Sequence, residues 1–191
     1  MKNLIKITGA LLLTVMFINN SQAQVKFSAG LELGYALETN FGLMYGVSAG
    51  GEYELNDNAG ITGQVGFILN SVDKPANFDK YSFNMLPIQF GYKYYFDSNT
   101  SGAYLHGQLG LHVLMSSIEY TYTTYDVDPV TFQLVPKEEK VSDSDSQTNL
   151  SFAIGGGYLV TENIDLGLRY CNVMADGPDF SYLAIRAAYN F

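Results

Sequence analysis

Cysteine is nearly missing from this chain. Cys171 is the only one among 191 residues, so no internal disulfide staples the fold, and zinc sites built on several thiolates are excluded. Charge is scarce too: Asp, Glu, Lys and Arg make up 15% of the sequence, low for a soluble domain. What charge there is leans acidic, with 19 Asp and Glu against 10 Lys and Arg, the opposite of what a non-specific nucleic-acid binder needs. Beyond residue 23 no apolar run approaches the ~20 residues of a membrane-crossing helix. Any crossing by the rest of the chain must use strands closed into a barrel, because only closure satisfies every backbone group inside lipid.

The first 23 residues hold the long apolar stretch. Lys2 and Lys6 lead into the apolar run 7–18, which ends on the small-x-small junction Ser21-Gln22-Ala23 before Gln24. This is the layout of a secretory signal peptide, and it predicts export across the bacterial inner membrane with cleavage after Ala23. No Cys stands at the junction, so no lipid anchor is expected there. The mature segment 24–191 is of a size for one domain. It keeps 8 of the 10 basic groups and all 19 acidic ones.

From Val25 onward the sequence alternates. Val25, Phe27, Leu31, Leu33 and Tyr35 fall on one side of an extended segment, with Lys26, Ser28, Gly30, Glu32 and Gly34 on the other. Period two held over ~9–11 residues is one β-crossing of a bilayer. The pattern recurs in 43–55, 61–70, 81–96, 103–115, 149–160, 164–171 and 182–191, with turn residues at 56–58, 161–163 and 176–178. In the fourth segment the apolar side changes parity, from Phe83 and Met85 to Leu86, Ile88 and Phe90 around Pro87. One extra residue in a bulge would restore the alternation and accommodate the proline. The pattern dissolves over 116–147, which holds Pro136 and several acids and reads as a long surface loop with room for strand extensions. A shorter polar loop is expected over 72–80. Eight strands, with short turns at one end and longer connections at the other, predict an all-β, eight-stranded antiparallel up-and-down transmembrane β-barrel.

Alternation alone does not say whether the apolar face meets lipid or an enclosed ligand, as in a soluble carrier barrel. The second face favours lipid, with a soluble secreted ligand carrier as the competing reading: it is mostly Gly, Ala, Ser, Asn and Gln, better suited to a narrow interior filled by side chains than to a solvated exterior. Its charges balance, with Glu32, Glu52, Glu54 and Asp165 against Lys26, Lys93, Arg169 and Arg186. Burying such charges unpaired is very costly, so an interior network of ion pairs is predicted. The apolar face carries aromatics near strand ends, among them Phe27, Tyr53, Tyr94 and Phe96, as expected at a water–lipid boundary.

The last strand ends on Tyr189-Asn190-Phe191, with Tyr189 and Phe191 on the outward face. This ending, the Ser21-Gln22-Ala23-Gln24 junction, the segment 83–96 around Leu86-Pro87-Ile88 and the run 109–113 after Gly107 together resemble the small outer-membrane β-barrel family that includes the PorT-like proteins. In architecture the chain is similar to OmpX and the OmpA barrel. The resemblance implies an outer-membrane location, a carboxy-terminal signal at Tyr189 and Phe191 for the barrel-insertion machinery, and outer-membrane lipids as surroundings. It brings no catalytic residues.

Two histidines, His106 and His112, share the inward face of the fifth strand, but no third metal ligand accompanies them, and they read as interior hydrogen-bonding groups. The Ser and Asp alternation over 142–147 lacks the ligand spacing and glycine of an EF-hand. Gly155-Gly156-Gly157 lies within a strand and lacks the Lys of a phosphate-binding loop. Cys171 faces inward as packing. The sequence therefore predicts a monomeric, non-enzymatic barrel without metal or cofactor. Its role is structural or in surface interaction, with an extracellular or envelope protein partner meeting the loop 116–147. The alternatives are a transporter of small apolar compounds and an outer-membrane lipid-modifying enzyme.

Overall fold

The computed structural model describes residues 25–38, 41–72, 78–97, 101–127, 133–175 and 177–191. The segment 1–23, expected to be a signal peptide, lies outside them, as do 73–77 of the shorter expected loop, 128–132 of the longer one and Asp176. The described residues form eight strands: β1 (Val25–Ala36), β2 (Phe41–Asn56), β3 (Ala59–Val72), β4 (Lys80–Asp97), β5 (Ser101–Val127), β6 (Leu134–Thr161), β7 (Ile164–Met174) and β8 (Phe180–Asn190). Each pairs antiparallel with its sequence neighbour, and β8 returns to β1 in the register Ser28↔Asn190 to Ala36↔Tyr182, closing the ring. Closure removes the free edges that an open sheet would present to lipid.

Register determines which face each side chain takes. Leu31, Leu109 and Ile185 stand outward at 66%, 71% and 57% exposure, while Gln89 and His112 face inward at 1% and 0%. A wall apolar outside and polar inside is inverted relative to a soluble carrier, and lipid is the solvent that makes it stable. The turns at 57–58 and 162–163 mark the short-loop, periplasmic end, where Val25 and Phe191 also lie.

The parity change in β4 is not a bulge. β4 pairs with β5 without a shift from Lys80↔Glu119 to Tyr95↔Tyr104, and its pairing with β3 keeps one register on both sides of Pro87. Only the β3 ladder is interrupted, at Gly66 and Phe67, because proline supplies no N–H. The proline ring lies against Gly66, where a Cβ would approach Pro87 Cγ to 3.1 Å. Phe83 and Met85 therefore point inward, and it is the interior that changes character. Met44, Ile68, Met85, Cys171, Val173 and Tyr182 form a buried apolar cluster toward the outer end, with Phe41, Phe83 and Leu114 packed against it. Phe41 meets Phe83 and Phe180 edge-on, and those two rings lie tilted to each other, with centroids 5.1–5.6 Å apart. The expected polar filling holds for the inner half of the barrel only.

The expected loop 116–147 is mainly strand. β5 and β6 stay paired from Gly102↔Leu159 to Val127↔Leu134, whereas β4 leaves β5 at Glu119 and β7 leaves β6 at Leu150. A two-stranded ribbon of eight residue pairs beyond Glu119 extends about 27 Å along its strands past the wall, at ~3.4 Å per residue.

Candidate functional site: an interior ion-pair network and a projecting ribbon

Two features of the barrel carry chemistry, one enclosed and one exposed. Enclosed in the periplasmic half, Glu32 of β1 accepts from Arg169 Nη2 at 3.1 Å and faces Arg186 Nε at 3.6 Å. Asp165 lies 3.0 Å from Lys93 Nζ and 3.9 Å from Arg186 Nη1, and Glu52 lies 3.4 Å from Lys93. Neutral groups complete the shell. Tyr104 donates its hydroxyl to Asp165 at 2.7 Å, Tyr95 donates to Glu52 at 2.9 Å, and Gln64 donates to Glu32 at 2.9 Å. Arg186 also donates to Ser48 and Ser28, and the Lys93 ammonium sits 3.9 Å above the Tyr104 ring. Three acids against three bases leave the cluster neutral, which is what burial at this depth demands.

Six of the eight charges expected inside thus meet in one network. Lys26 and Glu54 pair with each other, but at the periplasmic rim, with side chains 41% and 28% exposed. Parity alone placed them inward; their distance from the strand centre takes them into water. The tyrosines and glutamines of the shell had inward parity in the sequence, but no local signal marked them as partners. His106 meets Thr62 Oγ1 at 2.7 Å, and His112 meets the Tyr182 hydroxyl at 2.8 Å, so the two rings engage different neighbours. Among the described residues no group of three His, Cys, Asp or Glu is placed to hold a metal.

The glycines of β6 belong to this packing. A Cβ on Gly155 would collide with the Leu168 carbonyl and come within 2.7 Å of Arg169, and one on Gly157 would strike the Tyr104 hydroxyl. Gly155→Val is accordingly expected to destabilise the barrel by about 1–3 kcal/mol through overpacking. A lowered urea midpoint in lipid vesicles, with an unchanged slope, is the measure.

The outward aromatics also have defined places. Tyr189 and Phe191 stack edge-on at 5.3 Å on the outer wall, and Phe191 donates its N–H to the Phe27 carbonyl at 2.8 Å, holding the β8–β1 seam at its periplasmic end.

A family model described as the outer membrane protein beta-barrel domain matches residues 8–191. The chain belongs to that family. This outer membrane protein beta-barrel domain resides in the outer membrane, and its solved neighbours share the fold. Ail, the attachment invasion locus protein of Yersinia pestis, aligns with a TM-score of 0.60 at 17% identity, over 87% of this chain and 97% of Ail. The N-terminal β-barrel domain of Pseudomonas aeruginosa OprF gives 0.57 at 16%, over 89% and 100%. Neisserial surface protein A gives 0.52 at 18%, over 90% and 98%. No curated protein matches the chain.

The exposed feature of this β-barrel domain is its ribbon. Ile118, Tyr120 and Tyr122 continue the inward parity of β5 above the wall, and Tyr120 packs edge-on against Phe78 at 6.1 Å. Two carboxylates here sit below the ordinary value of 4.5. Glu119 is lowered by its hydrogen bond and charge attraction to Lys140, 2.8 Å away, and Glu139 by its hydrogen bonds to Lys137 and Tyr122. A lowered folded-state pKa gives stability that is present above the unfolded value and is lost as pH falls through the folded one. Hydrogen exchange at Tyr120 and Tyr122, whose N–H groups face β6, is therefore expected to lose a small part of its protection between about pH 6 and about pH 3, while the barrel strands keep theirs. The effect is small because the pairs are exposed.

Proposed function

We propose that the protein is a non-enzymatic surface-interaction barrel, closed to free diffusion, whose ribbon meets an extracellular protein partner. The ribbon carries this reading. It stands clear of the membrane, and β6 has no β7 partner over residues 134–149. Tyr125 and Leu134 are each 66% exposed near its outer end, more apolar surface than a solvated loop retains without a use. The edge also carries Lys137, Glu138, Glu139 and Lys140, charges of the kind that keep an open strand from pairing indiscriminately. Ail, of the same fold, has been solved in complex with the heparin analogue sucrose octasulfate. Tyr189 and Phe191 are assigned as the insertion signal, and the barrel is taken as a monomer.

Protease added to intact cells is expected to cut between Tyr120 and Val141 and leave the barrel assembled. Replacing 120–141 by a tight Asn-Gly turn is expected to keep heat-modifiable migration and abolish binding of cells to immobilised extracellular matrix proteins. A ribbon that resists protease on cells whose other surface proteins are cut, or a trimmed barrel that still binds like the intact one, overturns the reading.

A further inference from the structure

The inward residues change in one direction along most strands. From the periplasmic end outward, β4 presents Lys93, Gln89, Pro87, Met85 and Phe83, β2 presents Glu52, Ser48 and Met44, and β7 presents Asp165, Arg169, Cys171 and Val173. Charged, then polar, then apolar layers follow one another.

The charged layer encloses a cavity of about 60 Å³, lined by Lys26, Glu52, Lys93, His106, Asp165 and Arg186 among others, room for a few water molecules. Lys26 belongs to the rim, so this cavity adjoins the periplasmic mouth. In the polar layer above it, six buried atoms have no partner among the described residues: Gln89 Nε2, Gln108 Nε2, Asn149 Nδ2, Arg169 Nε, Ser151 Oγ and His112 Nδ1. Four of these are N–H donors only, and Arg169 already takes the amide oxygens of Gln89 and Gln108, which leaves their NH₂ groups to look elsewhere. Buried donors are not left bare in stable proteins; water is the acceptor small enough to reach them. The apolar layer begins where His112 meets Tyr182; Asn70, level with Phe83 at the outer limit of that layer, also has its Oδ1 and Nδ2 buried without a partner among the described residues, but it lies beyond Ile68 and Met85 as seen from the periplasmic mouth.

We propose that the barrel is a hydrated half-channel: water from the periplasmic side fills the charged and polar layers as far as His112, and the apolar layer of Met44, Ile68, Phe83, Met85, Val173 and Phe180 is the seal that makes the barrel non-conducting. An apolar constriction stops ions by excluding water, so it needs no moving part. The inference rests on the barrel being closed to diffusion. Steady conductance by the wild type would sink that earlier reading, whereas the outcomes below bear on the seal.

Two measurements test it on the full mature chain. In planar bilayers the wild type is expected to be silent, and Met44→Ser/Met85→Ser to show discrete ion-conducting openings, folding being checked by heat-modifiable migration. Phe83→Ala/Met85→Ser is the second variant should the first not fold. In detergent micelles, NMR cross-relaxation from water is expected at the side-chain amides of Gln89, Gln108 and Asn149 in the wild type. Folded seal variants as silent as the wild type overturn the proposal, and so do amides that show no contact with water.

Discussion

Replacing Glu32 by Ala is expected to destabilise the folded barrel by about 3–5 kcal/mol, the range for removing one partner of a buried charge pair. Glu32 is 2% exposed and serves two guanidinium groups at once, Arg169 at 3.1 Å and Arg186 at 3.6 Å. Without it Arg169 keeps only amide oxygens, from Gln64, Gln89 and Gln108, and Arg186 keeps Asp165 at the longer distance of 3.9 Å. Water reaching the cavity would relieve part of the penalty, which places the expected loss nearer the lower bound. Urea unfolding in lipid vesicles measures it, as a lowered midpoint with the slope retained. The variant carrying Arg169→Leu as well should recover part of the loss, because deleting a whole buried pair costs less than orphaning half of it. A midpoint equal to wild type for Glu32→Ala would mean that the network contributes nothing to stability.

Leu109→Arg should cost about 2–4 kcal/mol, as a cation does on the lipid face near the bilayer midplane. Leu109 is 71% exposed midway along the membrane-crossing part of β5. Leu134 on the ribbon is 66% exposed, yet Leu134→Arg is expected to change stability by less than about 0.5 kcal/mol, as surface substitutions in water do. The two sites have similar exposure and differ in what surrounds them. Membrane assembly in cells and the urea midpoint read both variants. Equal tolerance at both positions would contradict a lipid-facing wall.

The strand plan was largely legible because alternation is a local property. Each outward Leu, Ile or Tyr is separated from the next by one inward residue whatever the rest of the chain does, so β1, β2, β5 and β8 could be read from a dozen residues at a time. The reading went astray where alternation and interior chemistry parted. Phe83 and Met85 are apolar and inward, and a rule that equates apolar with outward turns them into a bulge. The sequence does hold the better signal, since Met44, Ile68, Leu114 and Phe180 also break the polar parity near the outer ends of their strands. Taken together those exceptions describe a layer; taken singly they look like noise. The ribbon was read as a loop with room for strand extensions, and its length was not legible, for a related reason. Its Tyr, Thr, Lys and Glu are wet on both faces, and a strand with two similar faces has no hydrophobic period to detect.

The amino-acid sequence by itself determined the number of strands, the face of the regularly alternating wall residues and the stock of charges available to the interior, because the two-residue pleat sorts each strand's residues to its two faces. Which charges meet was decided only in three dimensions. Glu32 and Arg169 stand 137 residues apart and are brought together by closure of the ring and the stagger of its strands, a property of the whole circuit that no stretch of chain contains.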